Sequence, residues 1–134
     1  TIITNQREIA ADDFFTGLLE TALEDGEIIT AVSFPVPEKA GYAKLQNPAS
    51  RFALVGVFVS SGAGGVRVAV TGAGASGVFR ASDAEAALSG DFSASAIAGA
   101  SVAEGGMLSD IHAAADYRAH LVGVMAARAV EACG

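Results

Sequence analysis

The chain has 134 residues, 51% of them hydrophobic but only 7% aromatic and none of them Trp, which is material enough for a real core and argues against disorder. Eight Lys and Arg against fifteen Asp and Glu give a formal net charge of −7, and with no basic run this argues against a nucleic-acid partner. The single cysteine, Cys133, closes no internal disulfide, and no apolar stretch approaches the ~18 residues of a membrane span, so a reduced, cytoplasmic setting is expected.

In chain order, "TIIT" (1–4) reads as a short strand. The chain opens on it without Met or a signal peptide, as if in the middle of a fold, so a piece of a longer polypeptide is expected. "IAADDFFTGLLETAL" (9–23) places Asp12 and Asp13 ahead of Phe14, Phe15, Leu18 and Leu19. That pattern predicts a short helix, capped by the two acids and broken at Gly17. "GEIITAVSFPVP" (26–37) is β-rich and ends on prolines, giving a strand that stops near Phe34 and a connector through "EKAG".

"GYAKLQ" (41–46) predicts a strand and "NPAS" a turn. "RFALVGVFVSS" (51–61) is almost wholly apolar and β-branched, as in a central strand buried on both faces. "GAGG" (62–65) is a tight turn into "VRVAVTGAG", which alternates around Arg67, so a hairpin is expected, followed by a short edge strand in "GVFRAS". Ser82 and Asp83 start a helix with Glu85 as capping-box partner and Gly90 as its stop. "SASAIAGASVA" (93–103) predicts a second, Ala-rich helix. From Asp116 to Ala132, Tyr117, Leu121, Val124, Met125 and Ala132 line one stripe of a long amphipathic helix, with Arg118 and Arg128 elsewhere on it. Strands followed by helices give an α+β class, an antiparallel sheet with helices on one face.

Gly72-x-Gly74-x-x-Gly77 has the spacing of a dinucleotide-binding fingerprint, yet the chemistry needs a helix that starts on the loop and presents its amides to a pyrophosphate. Here β-like Val78, Phe79 and Arg80 follow, and the helix cap comes only at Ser82. The nearby acids Asp83, Glu85 and Asp91 lie in or just after a helix instead of ending a second strand, so the motif reads as a turn. His112 and His120 complete no metal-ligand spacing. Ser109-Asp110-x-His112 has triad residue types without a nucleophile turn. Tyr117 and Arg118, at the start of the last helix, read as a buried polar anchor of structural character. No catalytic residue and no metal site emerges from the residues alone.

Three segments carry a family resemblance. "REIAADDFFTGLLETALEDGEIITAVSFP" resembles the end of the FAD-binding domain in the medium, flavoprotein subunit of molybdenum hydroxylases of the carbon monoxide dehydrogenase and xanthine dehydrogenase type. "GYAKLQNPASRFALVGVFV" resembles the opening strands of that subunit's C-terminal domain, and "SDIHAAADYRAHLVGVMAARAVE" its closing helix. The resemblance implies the tail of an FAD-binding domain over 1–38 and a C-terminal domain over 39–134. It also implies a three- to four-stranded antiparallel sheet with a small helical bundle.

By the same resemblance the parent is an FAD-dependent oxidoreductase. Its molybdopterin large subunit hydroxylates substrate, and its iron–sulfur small subunit carries electrons to the flavin. The main FAD motifs of the family lie upstream, so this chain would cover the flavin and dock partner subunits without chemistry of its own, and would not hold FAD alone. Three cofactor-facing positions carry over: Ile29, third of the "E-I-I" triplet; Lys44 of "Y-x-K"; and Phe52 of "RFA". Arg51 departs from the Asp of many relatives. Two rival functions remain: a flavin-free interaction or assembly module of the same fold, and a small nucleotide-binding protein using the 72–77 loop.

Overall fold

Between Thr1 and Val36 the apolar residues come in short runs, and the elements they form are correspondingly short. In the computed structural model, which describes residues 1–100 and 102–133, this stretch is one of two units, the other being Pro37–Gly134. The first unit contains β1 (Ile2–Thr4), β2 (Glu8–Ile9), α1 (Ala11–Phe14), β3 (Phe15–Gly17), β4 (Glu20–Thr21) and β5 (Ile29–Val32). Strands β2, β1 and β5 form an antiparallel sheet in that order, and β3 pairs with β4. The core is small: Ile2, Ile9 and Phe14, with Ala22 and Leu23 packed against it.

The helix expected over the Asp12–Leu23 stretch is a hairpin instead. Only α1 is helical; its N-cap position is Ala10, with no side-chain cap, while Asp12 and Asp13 stand in its first turn. Aromatic Phe15 and β-branched Thr16 favour extended backbone. Leu19 at φ +60° then supplies the left-handed turn residue that reverses the chain. Of the apolar residues that suggested a helix, only Phe14 is buried, and Leu19 is 99% exposed.

In the second unit, period-2 valines decide the layers. Strands β6 (Lys39–Gln46), β7 (Ala53–Gly62), β8 (Gly65–Thr71) and β9 (Phe79–Arg80) form one antiparallel sheet in sequence order. Gly62 pairs with Gly65 across the expected hairpin. Val55, Val57 and Val59 of β7 and Val66, Val68 and Val70 of β8 point to one face. There they cluster with Ala84 and Leu88 of α2 (Ser82–Gly90) and with Leu121, Val122, Met125 and Ala126 of α3 (Ala115–Glu131). Burial of each such large side chain contributes roughly 1.5–3 kcal/mol. The α3 helix rides close over β6, because a Cβ at Gly41 would collide with the Ala129 carbonyl.

Four expectations need correction here. β7 is buried on one face only, since Phe58 on the opposite face is 43% exposed and no layer covers that side among the described residues. The Ser82 capping box does not form: the N-cap position is Ala81, and Glu85 instead accepts from the Val68 amide and from Arg80. The segment after Ser93 is a 3₁₀ helix, Ala94–Gly99, started by Ser93 accepting from the Ala96 amide, and it ends at extended Ala100; Ser101 lies outside the described residues. On α3 the buried stripe includes Arg118, whereas Tyr117 is 48% exposed.

Candidate functional site

The open face of the second unit's sheet carries Lys44, one of the positions that the resemblance singled out, together with Tyr42 and Phe58. Register places Tyr42 opposite Phe58 and Lys44 opposite Gly56, with Phe58 in turn opposite Ala69, so these alternate positions share the face away from the helices. Tyr42 and Phe58 are each about half exposed, and Phe52, just before β7, is 79% exposed.

The turn between β6 and β7 closes on itself. Asn47 N donates to Phe52 O at 2.8 Å and Arg51 N to Asn47 O at 2.8 Å, while Asn47 Oδ1 accepts from Ala49 N at 2.9 Å. Lys44 Nζ reaches the turn and donates to Arg51 O at 3.2 Å. Arg51 holds φ +62°, a left-handed conformation that Asn, Asp or Gly adopts more cheaply. Lys44 and Phe52 are thus brought to one turn, whereas Ile29 lies on β5 of the first unit, 40% exposed.

Beneath that turn stands a buried cation that the sequence disclosed only as a structural anchor. Arg118 is 2% exposed. Its Nη1 donates to Leu54 O at 2.7 Å and Gly72 O at 2.8 Å, and its Nη2 to both oxygens of Asp110 at 2.9 Å. Nε has no partner among the described residues. Asp110 also accepts from the His112 and Ala113 amides. These bonds and the Arg118 guanidinium outweigh desolvation and hold its carboxyl below the usual range. Asp110 of the apparent Ser-Asp-x-His motif is therefore an ion-pair partner, and His112 and His120 are both exposed. No helical spacing joins Asp110 to Arg118, so pattern alone gives no signal for the pair.

The glycine loop is occupied by its own backbone. Gly72, at φ +78°, passes so close to the Ala53 carbonyl that a Cβ would collide with it. A Cβ at Gly74 would meet Gly77 O at 2.5 Å and the Phe79 ring at 2.8 Å. Ala75 N donates to Gly106 O at 3.0 Å, Leu108 N donates to Ala73 O at 2.8 Å, and Gly74 bridges to Met107. The next helix starts at Ser82, off the loop. A cleft of about 460 Å³ beside it is lined by Phe79, Ile97, Met107 and Val122, with Arg80 ion-paired to Glu85. Such a lining does not suit a pyrophosphate.

In the first unit Glu27 is a buried anion beside the buried Thr4. It accepts from Thr4 Oγ1 at 2.7 Å, from Arg7 Nε and Nη2 at 3.0 Å each, and from Glu24 N at 2.8 Å. The Arg7 bonds, then those from Glu24 and Thr4, pull its carboxyl down to about 2. This network stands just ahead of the strand that carries Ile29.

No family model matches the chain. It is 34% identical to the nicotine 6-hydroxylase medium subunit of Paenarthrobacter nicotinovorans over 98% of its own length and 50% of the relative's. Its fold matches quinoline 2-oxidoreductase from Pseudomonas putida 86 at a TM-score of 0.72 and 26% identity, over 94% of this chain and 48% of that one. The chain is related to the C-terminal part of molybdenum hydroxylase medium subunits. It spans about half the length of the two proteins it matches. The medium-subunit relationship agrees with the α+β class and the antiparallel sheet derived above. Both matches carry names of oxidising enzymes. Among the described residues no helix is long and apolar enough to cross a membrane.

Proposed function

We propose that this chain is the part of an FAD-carrying medium subunit that covers the flavin and docks the iron–sulfur and molybdopterin subunits of a molybdenum hydroxylase of the carbon monoxide or xanthine dehydrogenase type. The observation that carries the reading is the state of Lys44 and Phe52. An aromatic ring 79% exposed, beside a lysine whose ammonium contacts a turn carbonyl, is left free for a planar, partly anionic ligand. The residues fit the group: a flavin needs an apolar wall along its ring and a cation near its polar edge. Phe52 would supply part of the wall and Lys44 the charge; Ile29, on the first unit, stands as a separate expectation from the family resemblance. Flavin, when bound, supplies the two-electron to one-electron relay between partners. The exposed Leu18, Leu19, Phe34 and Val36 of the first unit support a docking role.

The test is calorimetric titration with FAD, with NAD as control, on this chain and on the assembled enzyme that contains it. Lys44→Ala in the assembled enzyme is expected to weaken FAD retention roughly ten-fold, the size of one charge-assisted contact. Unchanged FAD content in both Lys44→Ala and Phe52→Ala would overturn the assignment of those residues. Binding of NAD by the chain would overturn the whole reading and restore the 72–77 loop.

A further inference from the structure

Where backbone pairing between β7 and β8 stops, a side chain takes over. The last registered pair is Gly56 with Thr71, and Gly72 then turns the chain away against the Ala53 and Leu54 carbonyls. At that point Arg118 Nη1 bridges Leu54 O and Gly72 O, so the guanidinium prolongs across two chain segments the link that the ladder has ceased to make. Asp110 pairs with Nη2 through both oxygens and neutralises the buried guanidinium, while Nη1 is held by the two carbonyls themselves.

The Asn47–Phe52 turn hangs on the same stretch of β7. Its internal bonds, Asn47 N to Phe52 O and Arg51 N to Asn47 O, determine its shape. The β6–β7 ladder ties the turn to the sheet through Leu45 with Val55 and Gln46 with Ala53, but the register shift between those pairs leaves Leu54 without a partner on β6, and its carbonyl is the one that Arg118 takes. The left-handed φ of Arg51 also indicates a conformation held from outside the residue.

We infer that Arg118 is a positioning residue for this turn, acting through the Leu54 carbonyl to set where Phe52 and the Arg51-bound Lys44 ammonium stand on the open face. Its consequence for flavin rests on the function proposed above; its consequence for the turn does not. The last helix of the chain thereby controls the pose of a ligand-facing turn far upstream in sequence.

Two variants separate positioning from general support. Arg118→Lys keeps a buried cation but loses the forked reach to both carbonyls. Asp110→Asn weakens the ion pair but leaves Nη1 on Leu54 and Gly72. Amide hydrogen exchange is read in the whole chain at Asn47 and Arg51, against the Val57–Val59 stretch of β7. Arg118→Lys is expected to speed exchange in the turn about ten-fold relative to β7, and Asp110→Asn to leave that ratio unchanged. Turn and strand moving together in Arg118→Lys would overturn the inference. So would a selective loosening of the turn in Asp110→Asn, an outcome that can be read even if Arg118→Lys fails to fold.

In the FAD-loaded assembled enzyme, Arg118→Lys is expected to shift the flavin absorption bands while FAD content holds. Unshifted bands, beside a Lys44→Ala variant that does lose FAD, would remove the consequence for flavin. A Lys44→Ala variant that keeps FAD would count against the flavin reading and leave the exchange result standing.

Discussion

Among the described residues each of the two units buries one charged side chain, and the two charges are treated differently. In Thr1–Val36 the carboxylate of Glu27 takes donors from Thr4, Arg7 and Glu24. In Pro37–Gly134 the guanidinium of Arg118 meets one carboxylate and two carbonyls and keeps one N–H without a partner among the described residues. The hydrophobic surroundings explain the contrast. The first unit has only Ile2, Ile9 and Phe14 fully packed, so its polar network carries much of its order. The second has a long Val-, Ala- and Met-rich cluster that tolerates an imperfectly satisfied cation because burial elsewhere offsets it. Both charges complete turns at strand ends, where backbone pairing runs out.

The largest expected effect comes from the second unit. Arg118→Leu leaves the Leu54 and Gly72 carbonyls without their shared donor and Asp110 without its ion pair, and is expected to cost roughly 1–3 kcal/mol for each carbonyl left unsatisfied, read in urea unfolding. Removing both charges, as Arg118→Leu with Asp110→Ala, should recover part of that loss, because the stranded carboxylate is gone. A double variant no more stable than Arg118→Leu would mean that the two carbonyl bonds, and not the ion pair, dominate.

Glu27→Gln tests the first unit. The amide can accept with one oxygen only, and its NH₂ faces donors, so amide exchange in Ile2–Thr4 is expected to accelerate about ten-fold or more while Val55–Val59 is unaffected. Acid acts on the same group. Its folded pKa, about 2, lies below the ordinary 4.5, so its stabilisation is complete above pH 4.5 and is lost as pH falls from there through 2. Asp110 is also depressed, from 3.8, so its contribution begins to fall only below that value. A pH titration of the Thr4 NMR signals should therefore show the Glu27 network unchanged as pH falls through 4.5 and responding only towards about 2. A response centred near 4.5 would mean that the bonds to Glu27 do not hold its carboxylate in the folded unit.

How much of this was legible follows from the kind of signal each feature leaves. The β6–β8 meander, the Gly62–Gly65 hairpin and α3 leave periodic or turn signals, and all were read from the chain. The Asp12–Leu23 hairpin was misread because spacing of apolar residues mimics a helix when those residues are in fact exposed. The capping box at Ser82 failed since Glu85 is drawn to the Val68 amide, a partner distant in sequence. Arg118 was recognised as a polar anchor but assigned to the wrong helix face, and Asp110 was set aside. A salt bridge between a loop and a helix has no period. Ile29, Lys44 and Phe52 came from family resemblance, and nothing in spacing alone would have chosen them.

Smaller effects sharpen the contrast at the edges. Glu85 accepts from Val68 N at 2.8 Å and pairs with Arg80, standing in for strand partners that the two-residue β9 does not provide. Desolvation raises its pKa, but the Arg80 and Val68 bonds outweigh that and the net shift is downward. Glu85→Ala should cost about 1 kcal/mol by leaving the Val68 amide without an acceptor, while Glu85→Gln, which keeps one oxygen, should cost less.

The last case has the opposite sign. Arg51 and Leu19 are the two non-glycine residues with positive φ among those described, one in each unit. Asparagine tolerates the left-handed region because its short side chain bonds locally. Arg51→Asn is therefore expected to stabilise the second unit by about 1 kcal/mol, read as a higher thermal midpoint. The Arg51 backbone bonds to Asn47 and Lys44 do not depend on its side chain, so the turn should keep its shape. If the variant is instead destabilised, the guanidinium of Arg51 contributes contacts that compensate its strained backbone. The turn would then owe its conformation to Arg51 itself, and the claim that Arg118 holds it from below would weaken accordingly.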